Sequence, residues 1–261
     1  MSREHQLAWE ARWALPAALA AFAGAILPIA SAIVPRALLE GPLATRADVL
    51  LAADRQAAVF VASGFVQALG TLAIAGLFLY LDAAARARLP ATPSVGRVLA
   101  VVGPVLLAGA YLATQVAFVA AGSDFAGDGA RTVARADALV AEGALATVQS
   151  IRFGAGAAIG IAWVLVSLSI MRAGLVSRFA GLLGIGIGVL NAFPIIVPVV
   201  LQTFWLGAIG VLLLDRWPGG RGPAWATGEA TPWPGAAPRG TGDAAGEEPP
   251  RPARRKRKRR S

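Results

Sequence analysis

The chain has 261 residues, of which 56% are hydrophobic and 15% charged, with a formal net charge of +9, a single histidine and no cysteine. Ordinary globular proteins carry roughly 45–50% apolar and about 25% charged residues, so this composition argues against a water-soluble fold. The missing cysteine excludes disulfide, thiol and zinc–thiolate chemistry and leaves the compartment unread from redox usage.

Residues 1–13 form a polar segment whose Trp9 and Trp13 suit the inner membrane interface, where an indole has an apolar body and a polar tip. Five stretches without any Asp, Glu, Lys, Arg or His follow: Ala14–Val34, Ala57–Leu81, Val98–Ser123, Phe153–Met171 and Phe179–Leu214. A spanning helix needs about 20 apolar residues, because ~30 Å of hydrocarbon is crossed at ~1.5 Å per residue. Four stretches fit one crossing each. The fifth would be about 54 Å long as one helix, too long for one span even when tilted. It divides best near Asn191, Pro194 and Pro198, where proline removes backbone donors. The expected fold is therefore an all-α bundle of six spanning helices over residues 14–214. The first run could also be a signal peptide ending at Ala30-Ser31-Ala32, but its length exceeds the usual ~7–15 residues, and a retained anchor is expected.

Between the first two spans, Thr45-Arg46-Ala47-Asp48 reads as a capping-box start of a helix that continues into the second span. Between the third and fourth, residues 124–152 carry Val133, Leu139 and Val140 among Arg131, Arg135, Asp137 and Glu142, the spacing of a surface-lying amphipathic helix. The pattern Arg46-Ala47-Asp48-x-Leu50-x-Ala52 recurs as Arg135-Ala136-Asp137-x-Leu139-x-Ala141. A tandem duplication would produce this echo, and so would chance matching in alanine-rich sequence.

With six spans the loops alternate sides. Arg3, Arg12, Arg86, Arg88, Arg97, Arg172, Arg178, Arg216 and Arg221 then flank one face, against Arg36, Arg46, Arg55, Arg131, Arg135 and Arg152 on the other. The positive-inside rule puts the first set, and both termini, in the cytoplasm. Heavy Ala, Arg and Gly usage with two lysines is the composition of a GC-rich bacterial genome, which makes the expected location the bacterial inner membrane.

From residue 215 proline and glycine dominate and helical periodicity vanishes, so residues 215–261 are expected to be a disordered cytoplasmic tail. It ends in Arg254, Arg255, Lys256, Arg257, Lys258, Arg259 and Arg260. Such a run attracts anionic lipid headgroups at about 1 kcal/mol per residue near the surface. With Trp217, Trp225 and Trp233 in the same tail, contact with the membrane surface is expected. Specific nucleic-acid binding is not.

No cluster of His or Cys exists and no pair of acids falls inside a span, so neither a metal site nor an acid–base pair is visible. No cofactor is implied. The glycines of Gly156-x-x-x-Gly160 and Gly184-x-x-x-Gly188 read as close helix contacts. With no charge in any span interior, no buried ion partner or proton relay is expected. Polar side chains within the spans stand out instead: Gln67, Gln115, Asn191 and Gln202, with Thr71. An amide in hydrocarbon is costly unless bonded. These residues therefore either bond between helices or line a polar pocket for a small neutral or amphipathic solute.

From Ile170 the chain reads Ile-Met-Arg-Ala-Gly-Leu-Val-Ser-Arg-Phe-Ala-Gly-Leu-Leu-Gly-Ile-Gly-Ile-Gly, a short basic turn ending in Ser177-Arg178 before a glycine-patterned span. This resembles the penultimate-helix region of a group of uncharacterised bacterial six-helix integral membrane proteins, known only as a domain of unknown function. The resemblance covers roughly residues 14–214 and implies no catalytic residues. The reading is a non-enzymatic multi-pass protein with a structural, regulatory or partner-binding role, the alternative being a permease or channel-like protein.

Overall fold

The computed structural model describes residues 2–39, 41, 43–127, 129–193 and 199–233, and among these all regular structure is helical. Helix α1 (Arg3–Leu38) starts on Ser2, whose hydroxyl accepts from the His5 N–H, and contains Pro16, Pro28 and Pro35. The segment 1–13 is thus not separate from the first apolar run but its first turns. Helix α2 (Arg46–Arg55) has the expected capping box, with Thr45 Oγ1 accepting from the Asp48 N–H and Asp48 accepting from the Thr45 N–H. It does not run on into the next span. The backbone breaks at Gln56 (φ −129°, ψ 43°), and α3 (Ala57–Arg88) begins anew.

Helices α4 (Val95–Ala126), α5 (Val133–Ala141) and α6 (Gly143–Arg172) repeat that order of long, short and long. The α5 helix is surface-lying, with Ala136 buried and Val133 exposed. Gly174 (φ +73°) reverses the chain after α6, and the Ser177 hydroxyl, accepting from the Ala180 N–H, starts α7 (Arg178–Ala192). The expected break between residues 191 and 198 agrees with α7 ending at Ala192 and α8 starting at Val199. Pro194 and Pro198 themselves lie outside the described residues.

Four helices, α1, α3, α4 and α6, are long and apolar enough to cross a membrane. Helices α7 and α8 (Val199–Leu213) are apolar but have 15 residues each, about 22 Å at 1.5 Å per residue. The six expected spans are thus four long apolar helices and two shorter ones. Large apolar side chains such as Leu19, Ile26, Phe65, Phe179 and Val200 point outward along these helices. An apolar surface this extensive needs a non-aqueous neighbour, and a lipid bilayer supplies it.

In the bundle α1 packs on α3 and α8, α3 on α4, α4 on α6, and α6 on α7. Small residues set the spacing. A Cβ on Gly160 would lie 2.6 Å from the Gly188 carbonyl oxygen, so α6 and α7 meet backbone to backbone at one glycine of each pair read from the sequence, while Gly184 faces the Ser167 and Trp205 side chains. An aromatic layer of Phe78, Trp163 and Trp205 fills the centre, with ring centroids 5.1 and 5.4 Å apart.

The boundary expected at residue 214 moves. Residues 215–233 fold back on the end of the bundle, where α9 (Pro223–Thr227) is bracketed by Pro223 at its first position and Gly228 (φ +69°) after its last. Proline preset for the first turn and glycine free to adopt the left-handed region make even this short helix form. Trp225 is buried and donates to the Leu175 carbonyl at 2.9 Å, while Trp217 and Trp233, both half-buried, pack against the core. The basic run Arg254–Arg260 lies outside the described residues.

Candidate functional site

Two features combine polar groups with burial, at opposite ends of the bundle. The first is a knot at the end carrying the α1 N-terminus and residues 215–233. Arg88 Nη1 and Nη2 donate to Glu10 Oε1 and Oε2 at 2.6 and 2.9 Å. Its remaining N–H groups reach the Ala84 carbonyl at 2.7 Å and the Ala224 carbonyl at 2.8 and 3.1 Å. All five guanidinium donors are thereby used. Gln6 donates to Glu10 Oε1 at 2.8 Å, and the Tyr80 hydroxyl donates to the Glu10 backbone carbonyl at 3.1 Å. Trp225 lies under the guanidinium at 5.5 Å and stacks on Tyr80 at 6.2 Å. The expectation of no buried ion partner concerned the span interiors; just outside the uncharged runs Glu10 and Arg88 turn inward and form a buried pair. Beside the knot, Asp82 accepts from Arg86 at 2.7 Å, and Arg86 also donates to the Thr92 and Pro93 carbonyls of the α3–α4 turn. These bonds clamp the first turns of α1, the end of α3 and residues 215–233 together.

The second feature is a cavity of about 270 Å³ in the other half of the bundle, bounded by α1, α3, α4, α6, α7 and α8. Its polar lining is Gln67, Thr71, Tyr111, Asn191, Gln202 and Thr203, and no lining residue is ionised at neutral pH. The lining stops at Ile74, Trp163 and Thr203. About one turn further along the same helices Phe78, Val166 and Leu206 are fully buried and close that end.

Close approach of α1 and α3 builds one wall: a Cβ on Gly70 would lie 2.9 Å from Pro28 Cδ. Pro28 also has no N–H to offer the Gly24 carbonyl one turn earlier. Across this contact the Ser31 hydroxyl donates to Gln67 Oε1 at 2.8 Å and approaches the Pro28 carbonyl at 2.8 Å. The same Gln67 side chain also hydrogen-bonds Tyr111 of α4. The Asn191 NH₂ donates to the Ile187 carbonyl at 3.0 Å, and its Oδ1 has no partner among the described residues.

Three of the four amides read from the sequence therefore meet at this cavity. Gln115 does not. Its side chain packs on Gly64 and lines a separate groove with Phe60 and Phe118. Tyr111 and Trp163 were not legible as lining residues, since an aromatic in an apolar run reads as core. Trp163 is 1% exposed, and its indole N–H has no acceptor among the described residues. Leaving a buried donor unsatisfied costs about 1–3 kcal/mol.

Comparison with protein-family models, curated proteins and solved structures gives no match. The function must be argued from these two features alone. Among the described residues no three His, Asp or Glu side chains come together as a metal would need.

Proposed function

We propose that this chain is a non-enzymatic six-span protein of the bacterial inner membrane that holds a small neutral or amphipathic solute between its helices, as the loading site of a permease. The observation that carries the reading is the cavity lined by Gln67, Asn191 and Gln202 without a charge. A purely structural role would have these amides consumed by bonds between helices, whereas among the described residues Gln67 makes such bonds and Asn191 bonds within its own helix.

Six crossings are supported by depth. Asn191, at the end of α7, lies beside Gly156 of α6, close to Phe153, where the fourth uncharged run begins. The short α7 thus reaches nearly as far as its long neighbour's apolar run. Glu10, Arg88, Leu175 and Ala224 meet at one end, so the N-terminus, the α3–α4 turn, the α6–α7 turn and residues 215–233 share a side. The arginine asymmetry makes that side the cytoplasm. The likeness to uncharacterised six-helix membrane proteins and a lipid-contacting role for Arg254–Arg260 belong to the same proposal.

The cysteine-free chain permits a direct test. Single substitutions Thr45→Cys, Ser94→Cys, Ser177→Cys and Thr203→Cys are expressed in cells and challenged with a membrane-impermeant maleimide and with the small neutral reagent methyl methanethiosulfonate. The expected pattern is maleimide reaction at residue 45 and not at 94 or 177, with the small reagent modifying residue 203. Maleimide reaction at 94 or 177 would overturn the orientation, and an inert residue 203 would remove the solute site.

A further inference from the structure

We propose that a groove beside the Glu10–Arg88 pair holds the headgroup of an anionic phospholipid by its phosphodiester, with Arg97 as the principal contact. The groove offers about 800 Å³ between the first turns of α1, the end of α3, the start of α4 and residues 228–230. A Cβ on Gly228 would lie 3.0 Å from Arg3 Cγ, so residues 228–230 close on α1 and form one lip. Four arginines line the groove, Arg3, Arg86, Arg88 and Arg97, against a single carboxylate, Glu229. Three of the four are balanced inside the fold: Arg3 by Glu229, Arg86 by Asp82 and Arg88 by Glu10. Arg97 is exposed and forms no ion pair among the described residues, which leaves the groove one positive charge in surplus.

Position selects the anion. Arg97 comes one residue before the uncharged run that starts at Val98, and Arg86 and Arg88 follow the run that ends at Leu81. Groups just outside such runs sit at headgroup depth, where lipid phosphates are concentrated. Arg97 is also in the first turn of α4, at the positive end of the helix dipole, where a cation is disfavoured and an anion favoured. Its placement serves an incoming negative charge better than it serves the helix. A phosphodiester carries one negative charge, which cancels the surplus, and its two free oxygens match the fork of a guanidinium. The ammonium of a zwitterionic headgroup would instead be brought among arginines. Half-buried Trp9 in the wall offers apolar ring surface to the glycerol backbone of the lipid. The groove is separate from the solute cavity in the other half of the bundle and uses none of the residues Arg254–Arg260. In the proposed orientation it faces the cytoplasmic leaflet.

The test offers the full chain, in a non-ionic detergent, phosphatidylglycerol and phosphatidylcholine with the same acyl chains, and counts bound lipid by native mass spectrometry. Phosphatidylglycerol should be retained in preference. Arg97→Gln should weaken its binding about fivefold, the factor one arginine contributes near an anionic surface, and Arg97→Lys should keep most of it. Glu229→Gln releases Arg3 and should strengthen binding by a similar factor, a gain that misfolding cannot imitate. Arg216→Gln, an exposed change outside the groove, should leave binding as it was. All these proteins keep Arg254–Arg260, so their differences report the groove. Equal retention of the two lipids would overturn the inference, as would unchanged phosphatidylglycerol binding in both Arg97→Gln and Glu229→Gln. Displacement of the lipid by millimolar inorganic phosphate would assign the groove to a soluble anion and overturn the lipid source. None of these outcomes bears on the solute cavity.

Discussion

Glu10 and Arg88 stand 78 positions apart and are joined by two hydrogen bonds of 2.6 and 2.9 Å, which tie the first turns of α1 to the last turn of α3. Neither residue lies in an uncharged run. Each belongs to the polar flank of a span, and burial of the pair is made tolerable by the carbonyls of Ala84 and Ala224, which take the remaining guanidinium protons. Removing one partner leaves the other charge buried alone, at a cost of about 3–5 kcal/mol. Glu10→Met and Arg88→Met should each lower the thermal unfolding temperature in detergent. The double variant should lose less than the sum of the two, because no lone charge remains.

Trp225 fastens residues 215–233 through one hydrogen bond to Leu175 and stacking on Tyr80. Trp225→Ala removes a buried indole and should cost about 3–5 kcal/mol. The same change should speed tryptic cleavage after Arg221, whose guanidinium now donates to the Leu212 and Leu213 carbonyls.

Gly188 and Gly186 lie on the same helix and should respond oppositely to alanine. A Cβ at Gly188 would meet the Gly160 carbonyl oxygen at 2.6 Å and the Val164 nitrogen at 2.8 Å, both backbone atoms that cannot swing aside. Overpacking of this kind costs about 1–3 kcal/mol. Gly186 has nothing within 4 Å, so alanine there should stabilise the helix by roughly 0.5–1 kcal/mol. Thermal unfolding of the two variants decides it.

At the opposite end the two copies of the Arg-Ala-Asp pattern touch: Arg46 of α2 pairs with Asp137 of α5 at 3.0 Å. Both side chains are about half exposed, and pairs of that kind contribute about 0–1 kcal/mol, less in salt. Asp137→Asn should therefore leave the unfolding temperature almost unchanged at high ionic strength.

Asp48 has its carboxyl held below the usual range, first by the Thr45 hydroxyl and then by the Thr45 backbone N–H. A folded-state value below the unfolded one means that this cap's contribution is complete above the ordinary aspartate pKa. It is lost as pH falls through the lowered value. Hydrogen exchange in α2 should accelerate across that acidic window, and Asp48→Asn should weaken the response.

The uncharged runs located the helices well, because hydrocarbon admits no unpaired charge and the runs mark where charge stops. The break of the fifth run and the Thr45–Asp48 cap were legible for equally local reasons, proline chemistry and side-chain reach. The folded part of the tail was not. Its proline and glycine content reads as linker, and its order comes from partners distant in sequence, Arg88 and Leu175. Pro223 and Gly228 bracketing Ala-Trp-Ala-Thr were the one local sign of a helix there. The cavity was half legible. Amides in apolar runs announce themselves, whereas Tyr111 and Trp163 do not, and which amides share a space depends on helix rotation. Gln115 points elsewhere for that reason.

The Ala224 carbonyl that Arg88 holds is made 136 residues after Arg88 itself. At about 5–20 residues per second, roughly 7 to 27 seconds of synthesis separate them. During that interval the guanidinium has Glu10 and Ala84 for company and lacks its third acceptor. Helix α8 must take its place before residues 215–233 can swing under the bundle. The last helix is thus fastened to α3 by a bond that forms late in assembly, and a ribosome stalled before Ala224 would hold a nearly complete but unlocked bundle.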